Sequence, residues 1–268
     1  MGRGLPRRPV RHRRPPGLPQ GRGASGPPAR RVRRGVRRLA ARVRAGSGRP
    51  DHRRLSARLR TTVARTVAWP VCPEGLTPAG EVVRLRPLVR GDWPAYLRLR
   101  RANLGHLTPG TADDPDAPGL GAVPPVRAAF HRMVRRARPE ALSGAALHWG
   151  VEYRGELAGE MVLDDIRWGG HRSASAGYWV DSAVTGRGVG RTALRLALDH
   201  ALGPVGLHRV EVAVAVDNAT SLAMVGALGL REEGLRRAAV FIDGAWRDHR
   251  VFAVTAPEWG PSGVVREP

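Results

Sequence analysis

Three glycines at alternate positions, Gly186, Gly188 and Gly190, stand between a stretch of strand character, Tyr178-Trp179-Val180, and the apolar helical pattern of Leu194, Leu196, Ala197 and Leu198. Without Cβ atoms, successive backbone N–H groups can turn to one side of such a loop. The start of a helix adds unpaired donors and the positive end of its dipole. The chemistry this suits is the binding of an anion, phosphate above all. Two well-defined phosphate loops do not match. A Walker loop needs a lysine for the terminal phosphates, and none of the 268 residues is lysine. A dinucleotide fingerprint needs a third glycine three residues after the second, where Arg191 stands, and no acidic residue about 20 residues further on closes a second strand. The plainer alternative is a strand-to-helix turn with no ligand.

The elements that must carry the loop are legible on either side of it. Val82, Val83 and Leu85 alternate with arginines in a strand ended by Pro87. Asp92 is expected to cap a helix through Asn103, with Trp93, Tyr96, Leu97 and Arg100 on one face. A long Pro, Gly and Asp loop over residues 105–125, holding Asp113, Asp114 and Asp116, is expected either to border a cationic acceptor or to be a solvated acidic loop. Val126, Phe130, Met133 and Val134 mark a second amphipathic helix. Strands are expected over 146–153, 157–166 and 173–181, then the loop and its helix, a buried strand over 207–216, and a helix capped by Asn218 and closed by Gly229. Asp243-Gly244 is a hairpin turn. The order is βααβββαβαββ.

Charge separates this region from what precedes it. Residues 1–80 hold 21 Arg against Asp51 and Glu74, whereas residues 81–268 hold 24 Arg against 21 acids, so nearly all of the net +22 sits in the first segment. That segment is rich in Pro and Gly and poor in large apolar residues, which predicts disorder. Within it Val32, Val36, Leu39 and Val43 fall on one helical face among arginines. Such an arm would contact nucleic acid or anionic lipid through phosphates; the bland alternative is an extension without a role. The expected division is therefore a basic extension at 1–80, a domain at 81–257 and a short tail at 258–268. No stretch reaches 18 apolar residues, which predicts no membrane span. One cysteine, Cys72, excludes an intrachain disulfide and a Cys-cluster zinc site and fits a reducing cytoplasm.

The glycine stretch resembles the acetyl-CoA loop of the GNAT N-acetyltransferases, whose pattern of Gln or Arg, two residues, Gly, one residue and Gly or Ala falls on Thr185, Gly188 and Gly190. Thr185 alone departs from it. Residues 206–250 are similar to the RimJ and RimL branch of ribosomal-protein N-terminal acetyltransferases, through Gly206-Leu207-His208-Arg209-Val210-Glu211, Asp217-Asn218-Ala219-Thr220-Ser221, Leu228-Gly229-Leu230-Arg231-Glu232-Glu233-Gly234 and Asp243-Gly244-Ala245-Trp246-Arg247-Asp248-His249. The resemblance implies an α/β fold of GNAT type: a mixed, mostly antiparallel sheet with a splayed central strand pair, flanked by helices. It also implies acetyl-CoA as co-substrate, no metal, and a primary amine as acceptor. The first choice of acceptor is the N-terminus of a protein such as a ribosomal protein.

The same resemblance places cofactor contacts on Trp179, Val180, Thr185, Gly186, Arg187, Gly188, Val189, Gly190, Arg191, Asn218 and Ser221. Backbone N–H groups near Trp179 and Val180 would hold the thioester carbonyl, and the Ser221 hydroxyl would protonate the departing sulfur. Many relatives use a Tyr as acid where this chain has Val225. A carboxylate assigned as base in the RimL-like branch falls on Val240, so that role does not carry over. Glu211 and Glu160 remain as bases acting through water, and His208 reads as structural. Two further readings stay open: a small-amine or antibiotic acetyltransferase, and a CoA-binding or RNA-binding module that has lost turnover, which Thr185 and Val240 would allow.

Overall fold

The computed structural model describes residues 67–107, 112, 115–116 and 125–260. The amphipathic pattern at residues 31–45 and the positions Asp113 and Asp114 lie outside the described residues.

Eight strands form one sheet: β1 (Glu74–Leu76), β2 (Val82–Arg86), β3 (Leu147–Tyr153), β4 (Glu156–Arg167), β5 (Ser173–Val180), β6 (Arg209–Ala215), β7 (Arg231–Ile242) and β8 (Ala245–Thr255). Their spatial order is β1-β2-β3-β4-β5-β6-β8-β7, and every pairing is antiparallel except β5 with β6. A parallel pair needs a crossover, which is supplied by the helix α4 (Val189–Leu202). The other helices are α1 (Trp93–Ala102), α2 (Leu104–Leu107), α3 (Arg127–Leu142) and α5 (Ala219–Ala227).

Period-two alternation puts Leu147, Trp149 and Val151 of β3, Met161 and Leu163 of β4, and Val210, Val212 and Val214 of β6 on one buried face. Helix α4 covers it. Ala193, Ala197 and Ala201, four apart, bring the helix axis close, and Leu194 and Leu198 fill the space beside them, all fully buried. Each such Leu contributes about 1.5–3 kcal/mol of transfer free energy. On the other face α1 and α3 bury a smaller aromatic cluster, in which Phe130 lies 4.8 Å from Tyr96 and 5.4 Å from Trp93 between ring centroids.

Apart from the short helix α2, which falls where a loop was expected, the element order follows the sequence expectation from β2 onward, and three other expectations are corrected. The domain does not begin at residue 81. Val67 is 4% exposed in the main core, Trp69 packs 5.6 Å from Trp149, the Trp149 indole N–H donates to the Val71 carbonyl at 3.1 Å, and β1 pairs with β2. Val67, Trp69 and Val71 alternate with exposed residues, but the run is short and lies in a Pro- and Gly-rich segment whose composition hides it. Nor does the fold end at 257, because Trp259 is buried and donates to Asp199 Oδ1 at 2.7 Å. Asp92 precedes α1 but does not cap it. Its carboxylate pairs with the Arg86 guanidinium at 2.9 Å and accepts from Val89 N–H at 2.7 Å. Asn218 does cap α5, its Oδ1 accepting from Ser221 N–H at 3.0 Å. The Asp243-Gly244 turn has positive φ at both residues, 48° and 74°, as a two-residue hairpin of type I′ requires.

Candidate active site

β5 and β6 pair only over Ser173–Ser175 with Arg209–Glu211; beyond that register β5 stays paired with β4 to Val180 and β6 with β8, and the two part. The Asp181 N–H donates back to the Ala158 carbonyl at 2.8 Å, on the β4 side. Backbone groups alternate along a strand, so Trp179 N–H also faces β4 and Val180 N–H faces the gap that β6 has left. Of the two expected carbonyl-holding positions, Val180 therefore presents a backbone donor and Trp179 an indole. Gly159, which the sequence reading passed over, makes this packing possible. A Cβ there would lie 2.2 Å from the Trp179 carbonyl oxygen and 2.9 Å from Val180 Cα. The only sequence signal for it was a glycine inside an otherwise apolar strand.

The glycine loop leaves β5 through a single turn of 3₁₀ helix and enters α4 at Val189. Gly188 is the N-cap with φ of +80°, and a Cβ on it would lie 2.6 Å from Pro78 Cδ. The N–H groups of Val189, Gly190 and Arg191 stand in the first turn, where no intrahelical acceptor exists. Residues 77–78, expected outside the domain, thus buttress the loop. A second strut is Asn103, buried at the end of α1, which donates to Asp181 Oδ1 at 2.9 Å and accepts from Ser182 N–H at 2.8 Å.

A cavity of about 720 Å3 opens at the splay. On the α5 side it is lined by Thr185, Asn218 and Ser221, and Tyr178 enters beside Ser221. Burial pushes the Tyr178 hydroxyl up to about 12, the neighbouring Ser221 hydroxyl drawing it partly down; the two do not close a hydrogen bond. Val225, at the position where relatives carry a Tyr, is fully buried in the core. Toward α1 the wall is Glu160, whose Oε2 accepts from the Tyr96 hydroxyl and from the Trp179 indole N–H, both at 3.0 Å. Burial, then the Glu160 charge, raises the Tyr96 hydroxyl so that it stays protonated as the donor. The Arg100 guanidinium lies 5.5 Å from the Trp179 ring centroid.

The two expected carboxylates differ sharply. Glu160 faces the cavity with Oε1 clear of these two bonds. Glu211 does not line it: Arg209 Nε donates to one oxygen at 3.0 Å and Arg236 Nη2 to the other at 2.8 Å. Glu211 is an ion-pair partner on β6, and its placement as a base is corrected. His208 is exposed, and its carbonyl accepts from Ala256 N–H at 2.8 Å. Two residues that the sequence reading left out line the cavity floor, His148 from β3 and Asp164 from β4. Desolvation raises the Asp164 carboxyl, with His148 pulling partly the other way. Neither stands in a motif; β-pairing brings His148 to Glu160, and Asp164 shares its face of β4. No group of three His, Cys, Asp or Glu residues that could hold a metal is present among the described residues.

A mostly antiparallel sheet split at one parallel pair, with a glycine turn and helix start beside the split, defines an acyl-CoA transferase architecture. The chain belongs to the GNAT acetyltransferases, the acetyltransferase (GNAT) domain family matching residues 83–231. Among solved structures it is similar to RimJ of Mycobacterium smegmatis, determined in complex with CoA-disulfide, at 36% identity and a TM-score of 0.67 over 73% of this chain and 92% of that one. Among curated proteins it is 34% identical over 113 residues to the probable N-acetyltransferase YjcK of Bacillus subtilis, covering 41% of this chain and 62% of that protein. It is 28% identical over 120 residues to the [ribosomal protein uS5]-alanine N-acetyltransferase of Escherichia coli, covering 44% and 62% respectively. The chain thus spans about three fifths of the length of these curated relatives.

Proposed function

We propose that the protein transfers the acetyl group of acetyl-CoA to the N-terminal α-amine of a protein, with a ribosomal protein as the acceptor class that its relatives' names supply. The observation that carries this reading is one cavity with the Val180 strand edge and Ser221 on one side and the Glu160 carboxylate on the other. The residues fit a CoA ligand. The Gly188 cradle is closed to any side chain by Pro78, and the first turn of α4 offers unpaired N–H groups to a pyrophosphate. Residues 185–191 and Asn218 are the groups that would hold it, with Arg187 and Arg191 adding positive charge.

Acetyl-CoA supplies the thioester. Val180 N–H donates to its carbonyl oxygen and stabilises the charge that gathers there as the amine nitrogen attacks. Glu160, held through Oε2 by Tyr96 and Trp179, receives the amine on Oε1 and orients it. The N–C bond forms, the C–S bond breaks, Ser221 donates its hydroxyl proton to the sulfur, and the proton that the nitrogen loses on becoming an amide passes to solvent, from which Ser221 recovers its own. An α-amine suits this site. Its reference pKa of about 7.7–8.0 leaves it partly neutral near pH 7, while a lysine amine at about 10.4 needs about 3.4 kcal/mol more for deprotonation. Matched peptides with free or formyl-blocked N-termini, each with and without an internal lysine, test this by mass spectrometry. The expected result is acetylation of free N-termini only. Equal acetylation of blocked, lysine-containing peptides would overturn the α-amine assignment.

A further inference from the structure

The cavity floor on the acceptor side is a small, ordered surface. Val162 of β4 and Gly177 of β5 face each other there in register, and His148 of β3 lies opposite Val162 on its other flank. Glu160 and Asp164 stand two residues either side of Val162 on the same face of β4, so both are diagonal cross-strand neighbours of His148. For such pairs the Cα separation is about 7–8 Å, close enough for side chains to meet a common ligand between them. His148 is also held from above. Its Nε2 lies 3.4 Å from Glu140 Oε2 of α3, and the other oxygen of Glu140 accepts from Arg136 Nε at 3.0 Å. His148 and Glu140 are 22% and 27% exposed, so the pair is half-buried, and His148 lines the cavity.

A carboxylate on one imidazole nitrogen fixes the ring and its tautomer and leaves the second nitrogen as a proton acceptor. The charged groups facing this imidazole are Glu140, with Arg136 behind it, from α3, and Glu160 and Asp164 from β4. Glu160 carries two donors, the Tyr96 hydroxyl and the Trp179 indole N–H, on one oxygen, which fixes its carboxylate as a positioning group.

We infer that His148, positioned by Glu140, is the general base of the acetyl transfer, an assignment that rests on the N-acetyltransferase reading. Glu160 holds the acceptor ammonium; His148 takes one of its protons; the freed lone pair attacks the thioester carbon. The N–C bond forms, the C–S bond breaks, and the thiolate takes the Ser221 proton. His148 returns its proton to solvent and Ser221 recovers one from it, so no other reactant is needed.

The test is chemical rescue in the full-length protein. His148→Ala is expected to lower kcat about 10²-fold at pH 7 with little change in the KM for acetyl-CoA. Added imidazole should restore the rate in a concentration-dependent way, and substituted imidazoles should do so in proportion to their basicity. At pH 9, where a peptide α-amine is mostly neutral, the defect should shrink to a few-fold. Glu140→Gln, which retains the ring, should lower kcat less and gain nothing from imidazole. His148→Gln, close in size and polar, guards against a folding defect, with thermal melting as control. Wild-type turnover in His148→Gln would overturn the assignment, as would a slow His148→Ala protein that no imidazole rescues and no rise in pH relieves. Failure of the wild-type protein itself to release CoA thiol with any free-amine peptide would instead remove the acetyltransferase reading, and the base with it.

Discussion

Gly159 lies outside the cavity lining, yet Gly159→Ala is expected to damage catalysis. The new Cβ would be built 2.2 Å from the Trp179 carbonyl oxygen, against about 3.3 Å for an ordinary carbon–oxygen contact, so β4 and β5 must part by about 1 Å at this point. Their register places Gly159 directly opposite Val180. The displacement therefore reaches the backbone N–H proposed to hold the thioester oxygen and the Trp179 indole that holds Glu160. A 1 Å misplacement of a positioned group costs about 10²-fold in rate, which is about 2.7 kcal/mol at the transition state. Overpacking of a tight strand pair adds about 1–3 kcal/mol of lost fold stability. Thiol release under saturating acetyl-CoA reads the first quantity, and urea unfolding of the same preparation reads the second. The expected signature is a fall in kcat near 10²-fold in protein that remains folded at the assay temperature. A Gly159→Ala protein with unchanged kcat and an unchanged unfolding midpoint would refute the role given to this close approach.

Two further outcomes follow from the same geometry. A chain starting at residue 67 should keep its stability, whereas one starting at residue 81 should lose about 4 kcal/mol or more. The second truncation removes β1 and the packed side chains of Val67 and Trp69, at about 1.5–3 kcal/mol for each large buried apolar side chain; chemical denaturation checks this, and equal midpoints would return the boundary to residue 80. Ser221→Ala should lower kcat about 10²-fold while leaving acetyl-CoA affinity intact, and Gly190→Glu should abolish that affinity by placing a carboxylate at the first turn of α4, a contrast that calorimetry and steady-state kinetics resolve together.

The order of the strands and long helices, the turn at the glycine loop, the Asn218 cap and the Asp243-Gly244 hairpin were legible in the chain because each depends on neighbours within a few residues. Period, capping and turn chemistry are local, and local chemistry is written in order along the chain. The tertiary structure decided what depends on residues far apart. Glu160 and Glu211 are chemically alike in the sequence, and only β-pairing sets one against Tyr96 and Trp179 in a cavity and the other between Arg209 and Arg236. Val67 and Trp69 alternate in too short a run to stand out and Pro78 carried no pattern, since their holes lie in β3 and in the glycine loop and not beside them in sequence. His148 belonged to no motif because its partners come from α3 and β4: a cross-strand register, set by the whole sheet, joins it to Glu160 and Asp164, and the packing of α3 on β3 joins it to Glu140.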